Sequence, residues 1–472
     1  MDRKWWTLTA VSVGIFMLLL DLTIVNVALP DIQRALDASL SDLQWVIDAY
    51  ALTLAALLLT AGSLADLLGR RRIFAVGIAI FTAGSLLCGL ATDPLFLSLA
   101  RAFQGVGGAI MFATALALIA HAFRGRDRGV AFGVFGAVTG VAVAVGPVLG
   151  GVITSGLSWR WIFLVNLPIG VLTLVVALRG VVESRDPRPR RLDWAGFVTF
   201  SSALGLLVFA LIRSNEAGWG SVQVAGSLSA AVMLLLVFGI VEALQREPMF
   251  DLSLLRVPTF VGGLVAAFGI SASLFSLLTY LVLYLQNLLG YSAIEAGVRF
   301  LPLTLAIFFT AAVAGRLSAT VPTRLLIGPG FVLIGIGLLL MHGIEVSSDW
   351  TALLAGMIVS GIGAGLVNVP LASTAVAVVE PARAGMASGV NSTFRQAGIA
   401  TGVAALGAIF AAALPVGASG PAAAQGFVDG INDILLVGAL IAFAAAVASF
   451  TLIRQQDYIA NTQAQPVEAV PA

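Results

Sequence analysis

The chain has 472 residues, 59% of them hydrophobic and only 10% charged, with a mean hydropathy of +1.03. No soluble domain of this length needs that much apolar surface, so the composition excludes a soluble enzyme or binding module and marks an all-α integral membrane protein. The formal net charge of +1 says little by itself; where the charges fall says more.

A span needs about 20 apolar residues at 1.5 Å each. Fourteen stretches qualify: 5–29, 44–64, 73–92, 94–120, 129–155, 161–179, 194–212, 222–242, 258–287, 293–314, 324–342, 350–378, 385–413 and 431–453. The first ends at Pro30 without a small-residue cleavage pattern and is read as a span, not a signal peptide. With the N-terminus in the cytoplasm, nineteen of the 25 basic residues fall on the inner side. Only Arg34, Arg160 and Arg213 fall outside, and Arg101, Arg299 and Arg395 lie within spans. This asymmetry places both termini in the cytoplasm. The Ala/Gly/Arg bias fits a GC-rich bacterial host and hence its cytoplasmic membrane. The tryptophans fall near span ends, as an interfacial belt requires.

The stretch 181–193, with Arg185, Arg188, Arg190 and Arg191 between prolines, is the best internal boundary. The polar loop 243–257 is a second. The expected organisation is a six-span bundle over 1–180, a linker with two inserted spans over 181–257, a second six-span bundle over 258–454, and a disordered cytoplasmic tail over 455–472.

Asp21 lies inside the first span, in the run Leu18-Leu-Leu-Asp21-Leu-Thr-Ile-Val-Asn-Val-Ala-Leu-Pro30. Inserting a carboxylate at that depth costs about 2.5–3.5 kcal/mol, so such acids line a water-filled path or carry protons. The structural alternative is a buried acid held by one partner. Desolvation favours the neutral form of a carboxylate. Asp21 is therefore the expected proton-coupling group, and a cationic substrate would compete with its proton. Asp48 sits near the outer end of the second span. It is either a solvated surface acid or an entry carboxylate for cations. The second span ends in Gly62-Ser-Leu-Ala-Asp66-Leu-Leu-Gly69-Arg70-Arg-Arg72. Gly62 permits close helix approach, Gly69 a tight turn, and Asp66 at a helix C-terminus needs an arginine or another helix N-terminus as partner.

Cys88 is the single cysteine, so no intrachain disulfide forms. Arg101, in Arg101-Ala-Phe-Gln104-Gly-Val-Gly-Gly108, lies roughly 10 Å deep in the fourth span. Asp21 lies roughly 13 Å deep from the same side. The two meet if spans one and four are neighbours. Arg101 is otherwise a structural ion pair or a carbonyl ligand. In the fifth span Gly136, Gly140 and Ala144 form a small-residue face, followed by Gly146, Pro147, Gly150 and Gly151. Pro147 cannot donate to the carbonyl of Val143. Glu295 and Arg299 are spaced to pair across one turn. Phe268, Phe275, Tyr280 and Tyr284 either line an aromatic pocket or pack between spans. Asn368, Asn391 and Gln396 either bind substrate or join helices. Leu414–Gly430 reads as a short Ala/Gly-rich outer loop. His121 and His342 fall in different loops, so neither a metal site nor a cofactor is expected.

These motifs, in this order, resemble the major facilitator superfamily, and within it the fourteen-span drug:proton antiporter family. Asp21–Pro30, Gly62–Arg72, Arg101–Gly108 and Gly140–Gly151 match its four motifs, the last being the antiporter signature. The runs Trp159–Gly170 and Ser388–Gly398 are also similar to the family's. The resemblance spans residues 10–453. It implies two six-helix bundles around a central cavity, plus two inserted helices, rocking about a midplane site. It also implies that Gly62, Asp66, Gly69 and Arg70 latch the cytoplasmic side. Gly140, Gly146, Pro147, Gly150 and Gly151 would seal the bundle interface, and Arg101 would share in proton handling. The expected activity is proton-coupled export of lipophilic cationic or neutral drugs, with Asp21, Asp48, Asn368 and Asn391 as substrate-binding candidates. The expected partners are small-molecule drugs, protons and the lipid bilayer, with no nucleic acid, and the chain is expected to be a monomer. The alternatives are a dedicated exporter of one metabolite, antibiotic or lipid, and, more distantly, a channel. A nucleotide-driven pump is excluded, because a phosphate-binding loop needs Gly-Lys-Ser/Thr and the one lysine is Lys4.

Overall fold

The computed structural model describes residues 2–458 except 124, 186–192, 246–247, 249, 319, 380–383 and 416–419. The basic linker residues Arg188, Arg190 and Arg191, and the tail over 459–472, lie outside the described residues. Among the described residues, fourteen helices are long and apolar enough to cross a membrane. In order they are Arg3–Leu36, Leu40–Leu68, Arg70–Gly89, Pro94–Ile119, Val138–Gly156, Trp161–Gly180, Trp194–Ser214, Val222–Leu244, Pro258–Leu288, Ala293–Leu317, Arg324–Met341, Trp350–Leu371, Met386–Ala413 and Pro421–Leu452. An even number of crossings puts both chain ends at one end of the bundle. That end is called here the terminal end, and the other the distal end.

The helix starts follow local chemistry. Ser39 and Asp42 form a capping box on the second span. Asp93 accepts from the Phe96 amide at the fourth, with Pro94 in the first turn. Two boundaries differ from the sequence expectation. The first helix runs on through Pro30 to Leu36, and the last begins at Pro421, so half of the expected 414–430 loop is helical. Pro421 is tolerated at a first helical position, and the alanines after it are strong helix formers. The segment after Arg454 is not wholly without structure either. Gln455–Asp457 form a helical turn, and the Asp457 carboxylate accepts from the Thr259 amide at 3.1 Å and from its hydroxyl at 2.7 Å.

The first six spans pack on one another, chiefly second on fourth, third on fourth, first on fifth and third on sixth. The last six do likewise, chiefly eleventh on twelfth, tenth on twelfth and eleventh on fourteenth. The bundles are joined chiefly by contacts of the second span with the thirteenth, the fifth with the tenth, and the first with the ninth. The seventh span lies over the first of these seams. Its Val208 and Ile212 pack with Ala51, Ala400 and Ala404, and its Leu204 packs with Ala55 and Ala397. The eighth span packs on the seventh and leaves Val232, Met233, Leu236 and Ile240 exposed. The ninth span is interrupted by two π-turns, Ser271–Phe275 and Tyr284–Leu288. Such turns concentrate at functional sites because they re-aim side chains within a continuous helix.

Candidate coupling centre and transport cavity

Five of the first six spans converge on Asp21, which has no exposed surface. Its Oδ2 accepts from Arg101 Nη1 at 2.5 Å. Its Oδ1 accepts from Gln104 Nε2 at 2.9 Å and from Asn166 Nδ2 at 3.1 Å. Arg101 Nη1 also donates to Gln104 Oε1 at 2.7 Å, and Nε donates to the Val46 carbonyl at 3.2 Å. The guanidinium lies over the Tyr50 ring at 4.2 Å. Ser85 Oγ accepts from Gln104 and Asn166 at 2.8 and 3.2 Å. The expected meeting of Asp21 and Arg101 therefore occurs, but as one edge of a wider polar network. The sequence analysis gave no role to Gln104, Asn166 or Ser85. Their signals were present, since Gln104 is one helical turn from Arg101 and Asn166 is an amide in an apolar span. Glycines bring these helices close enough. A Cβ at Gly84 would lie 2.6 Å from Gln104 Cα, and one at Gly105 would lie 2.8 Å from the Tyr50 carbonyl.

Asp48 is also fully buried, yet neither carboxylate oxygen has a hydrogen-bond partner among the described residues. It is therefore not the solvated surface acid that was one sequence reading. It borders the seam between the bundles. One turn before it, Gln44 donates to Tyr280 Oη at 3.0 Å and to the Val403 carbonyl at 3.5 Å. Tyr280 Oη donates to that same carbonyl at 2.5 Å. Nearby, Thr279 donates to Asn26 at 3.2 Å, Gln286 to the Val27 carbonyl at 2.7 Å and Asn287 to Gln33 at 3.3 Å. These bonds tie the distal ends of the bundles together.

The fifth span completes this seam. A Cβ at Gly151 would lie 2.6 Å from the Ala293 carbonyl, and one at Gly150 would lie 2.9 Å from the Ile24 carbonyl. A Cβ at Gly146 would overlap the Thr23 hydroxyl, and one at Gly297 would overlap the Pro147 carbonyl. Gly140 is different: only Phe308 comes near, at 3.8 Å. The described side chains do not include those of Gly136 and Ala144, so the full small-residue face lies partly outside the described residues.

At the terminal end, Asp66 pairs with Arg70 at 2.8 Å, the neighbouring arginine being the partner it required. Gly69 has φ +113°, a left-handed conformation that favours glycine. Glu183 occupies the space beside it. Its carboxylate accepts from the amides of Arg71 and Arg72 at 3.0 and 3.3 Å, capping the third helix. Glu183 was not singled out from the sequence. Gly62 has nothing within 4 Å of a Cβ position, so the close approach expected there is absent from this conformation.

Between the bundles lies a narrow cavity whose walls include Thr23, Asn26, Pro147, Phe275, Leu278 and Thr304. Of the ninth-span aromatics, Phe275 reaches it, while Tyr280 and Tyr284 are buried. Asn368 donates to the Ala364 carbonyl at 3.0 Å and accepts from Arg395 at 2.7 Å. Asn391 donates to the Gly263 carbonyl at 3.3 Å, joining spans thirteen and nine. The expected Glu295–Arg299 ion pair does not form. Glu295 is committed to a capping box with Ser292, and Arg299 lies over the Tyr291 ring at 3.5 Å. Arg299 donates to the Glu295 backbone carbonyl, at 3.0 Å.

Comparison with known proteins follows this geometry. Residues 11–403 match the model of the Major Facilitator Superfamily. The chain is 37% identical over 407 residues to the multidrug resistance protein Stp of Mycobacterium tuberculosis, covering 86% of this chain and 76% of that one. It is 37% identical over 461 residues to the puromycin resistance protein pur8 of Streptomyces alboniger, covering 96% and 92%. The crystal structure of a bacterial homologue of the human lysosomal transporter Spinster superposes with a TM-score of 0.65 at 17% identity, covering 97% of this chain and 99% of that one. That likeness shows the fold, two six-helix bundles here carrying two inserted helices. With its family model, its relatives and its fold in agreement, the chain belongs to the major facilitator superfamily and is a membrane transporter, not an enzyme.

Proposed function

We propose that this transporter exports lipophilic drugs or antibiotics in exchange for protons, by alternating access of the cavity between its bundles. The relatives named for multidrug and puromycin resistance support the substrate class. The arginine asymmetry supports a cytoplasmic terminal end, and the hydrogen-bonded distal seam then corresponds to a closed outer gate.

The observation that carries the coupling is Asp21 itself, an ionisable group at mid-depth paired with Arg101 and shielded from solvent. A proton on Asp21 cancels its charge, and the Arg101 guanidinium loses its counter-ion. Arg101 is tied to the Val46 carbonyl, and Val46 lies two residues from both Gln44 and Asp48 on the same helix. Repairing the network after protonation thus bears on the segment that closes the seam. Asp48 reinforces this link. An ionised carboxylate with neither donor nor cation is costly inside the closed seam, and the neutral acid is not. The proton and the substrate each favour one arrangement of the bundles, and that differential affinity is what exchanges one for the other. The glycines of the fifth span keep the seam tight while the bundles rock.

The test is pH-driven efflux in everted vesicles. The Asp21→Asn variant, inserted at wild-type level, is expected to show none. Efflux at the wild-type rate from that variant would overturn the assignment.

A further inference from the structure

Arg395 is the one cation among the described residues that sits at mid-depth of the later six spans, and the coupling scheme above makes no use of it. It lies nine residues into the thirteenth helix, roughly 14 Å along it from Met386. Its described partners are the neutral Asn368 Oδ1 at 2.7 Å and the face of Phe275, whose ring centre is 5.5 Å from Cζ. Among the described residues no carboxylate lies within ion-pair distance of it. The contrast with Arg101, which has Asp21 at 2.5 Å, is plain.

Arg395 is deep within the bundle yet keeps part of its surface exposed. Phe275, which it overlies, forms part of the wall of the cavity between the bundles. Asn368 is tethered to the Ala364 carbonyl, so its amide holds the guanidinium in place without neutralising it. An uncompensated charge at this depth is expensive, and a guanidinium has a planar set of donors matched to a carboxylate. The wall that Phe275 shares also carries the hydroxyls of Thr23 and Thr304 and the amide of Asn26, and its lining residues include no cation of their own.

We propose that Arg395 is the anion-binding group of the transport cavity, taking the carboxylate or phenolate of an aromatic substrate whose ring lies against Phe275. The anion supplies the missing counter-charge through charge-assisted hydrogen bonds, and the aromatic wall holds the scaffold. This deepens the export reading by adding an acidic group to the substrate, and it rests on that reading only for the claim that what binds is then transported.

The experiment uses purified full-length protein in detergent, with sodium benzoate as probe and benzamide as its neutral counterpart at equal ionic strength. Benzoate is expected to raise the thermal midpoint by about 1 °C or more, and benzamide is not. Arg395→Gln should remain folded and lose the benzoate shift, while Arg395→Lys should keep a reduced one. In everted vesicles, Arg395→Gln should slow export of a free-acid rhodamine about tenfold relative to its methyl ester. Equal behaviour of benzoate and benzamide with wild-type protein, including no shift from either, overturns the proposal. So does a benzoate shift that survives in Arg395→Gln. The binding measurement needs no proton gradient, so its failure leaves proton-driven export standing. Loss of efflux in Asp21→Asn, conversely, says nothing about benzoate.

Discussion

Among the first six spans, Asp21 and Arg101 face each other at 2.5 Å, and two amides and a hydroxyl fill out their hydrogen bonding. By contrast, Asp48 at the seam and Arg395 in the later bundle are buried or half-buried with no opposite charge beside them among the described residues. The polar chemistry is similar and the depth comparable, but the state of completion differs. A satisfied network holds its helices together and resists change, because each member would be orphaned by the loss of another. An unsatisfied charge at membrane depth costs free energy, and what is missing from it is informative. A neutral acid at Asp48 and an anion beside Arg395 would each remove that cost.

This difference can be broken at its strongest point. Asp21→Asn leaves the Arg101 guanidinium buried without a counter-ion, which costs about 3–5 kcal/mol for a pair broken on one side. Thermal unfolding in detergent should show a large drop in midpoint, alongside the loss of efflux. The double variant Asp21→Asn/Arg101→Gln removes both charges and should recover much of that stability without recovering export. Recovery of both would mean that the pair serves packing alone.

The fifth span gives the next effect in size. Gly151→Leu would drive a side chain into the backbone of Ala293 and Ile294 on the tenth span, prising the distal seam apart. Export should fall to background with the protein still inserted. Gly140→Ala meets only Phe308 at 3.8 Å and should be tolerated. Equal loss in both variants would show that the motif acts through helix stability and not through the seam.

The unpaired groups should respond less to neutralisation than the Asp21–Arg101 pair does. Asp48→Asn and Arg395→Gln each replace an ionisable group that has no ion-pair partner among the described residues to strand. Their stabilities should stay within about 1 kcal/mol of wild type, in contrast with Asp21→Asn. A drop as large as that of Asp21→Asn would reveal a counter-charge at that site.

The fold was legible because span length and apolar composition are properties of the chain alone. Fourteen apolar stretches of the right length gave fourteen helices, and the largest boundary error, at Pro421, came from taking an alanine run for a loop. The meeting of Asp21 and Arg101 was legible for a similar reason, since two matched depths need only neighbouring helices to become a contact. Glu183 and Ser85 were not legible. A short polar side chain near a span end looks like any other until packing places it against an open helix terminus or an amide. The Glu295–Arg299 pair failed because spacing ignores competition: Ser292 claimed the carboxylate and Tyr291 the guanidinium. Asp48 was read too near the surface because depth within one helix does not reveal what a second bundle covers.

The smallest effects should come from the two inserted spans. Neither carries a charged side chain through its apolar interior, and a segment without polar groups offers little to a translocation path. The seventh span presses Val208, Ile212 and Leu204 onto small residues of the second and thirteenth spans, sealing the outside of that seam. The eighth turns Val232, Leu236 and Ile240 outward. Cysteines placed along 198–208 and 226–238 in a Cys88→Ser background should react with a membrane-permeant thiol reagent at rates that substrate does not change. On the eighth span those rates should be uniformly fast on the outward face. On the seventh they should be slow at the positions against the seam and faster when the distal gate opens. Substrate protection at several positions of either span would place the inserted pair in the cavity wall and remove the reason for treating the two six-helix bundles as a complete transport unit.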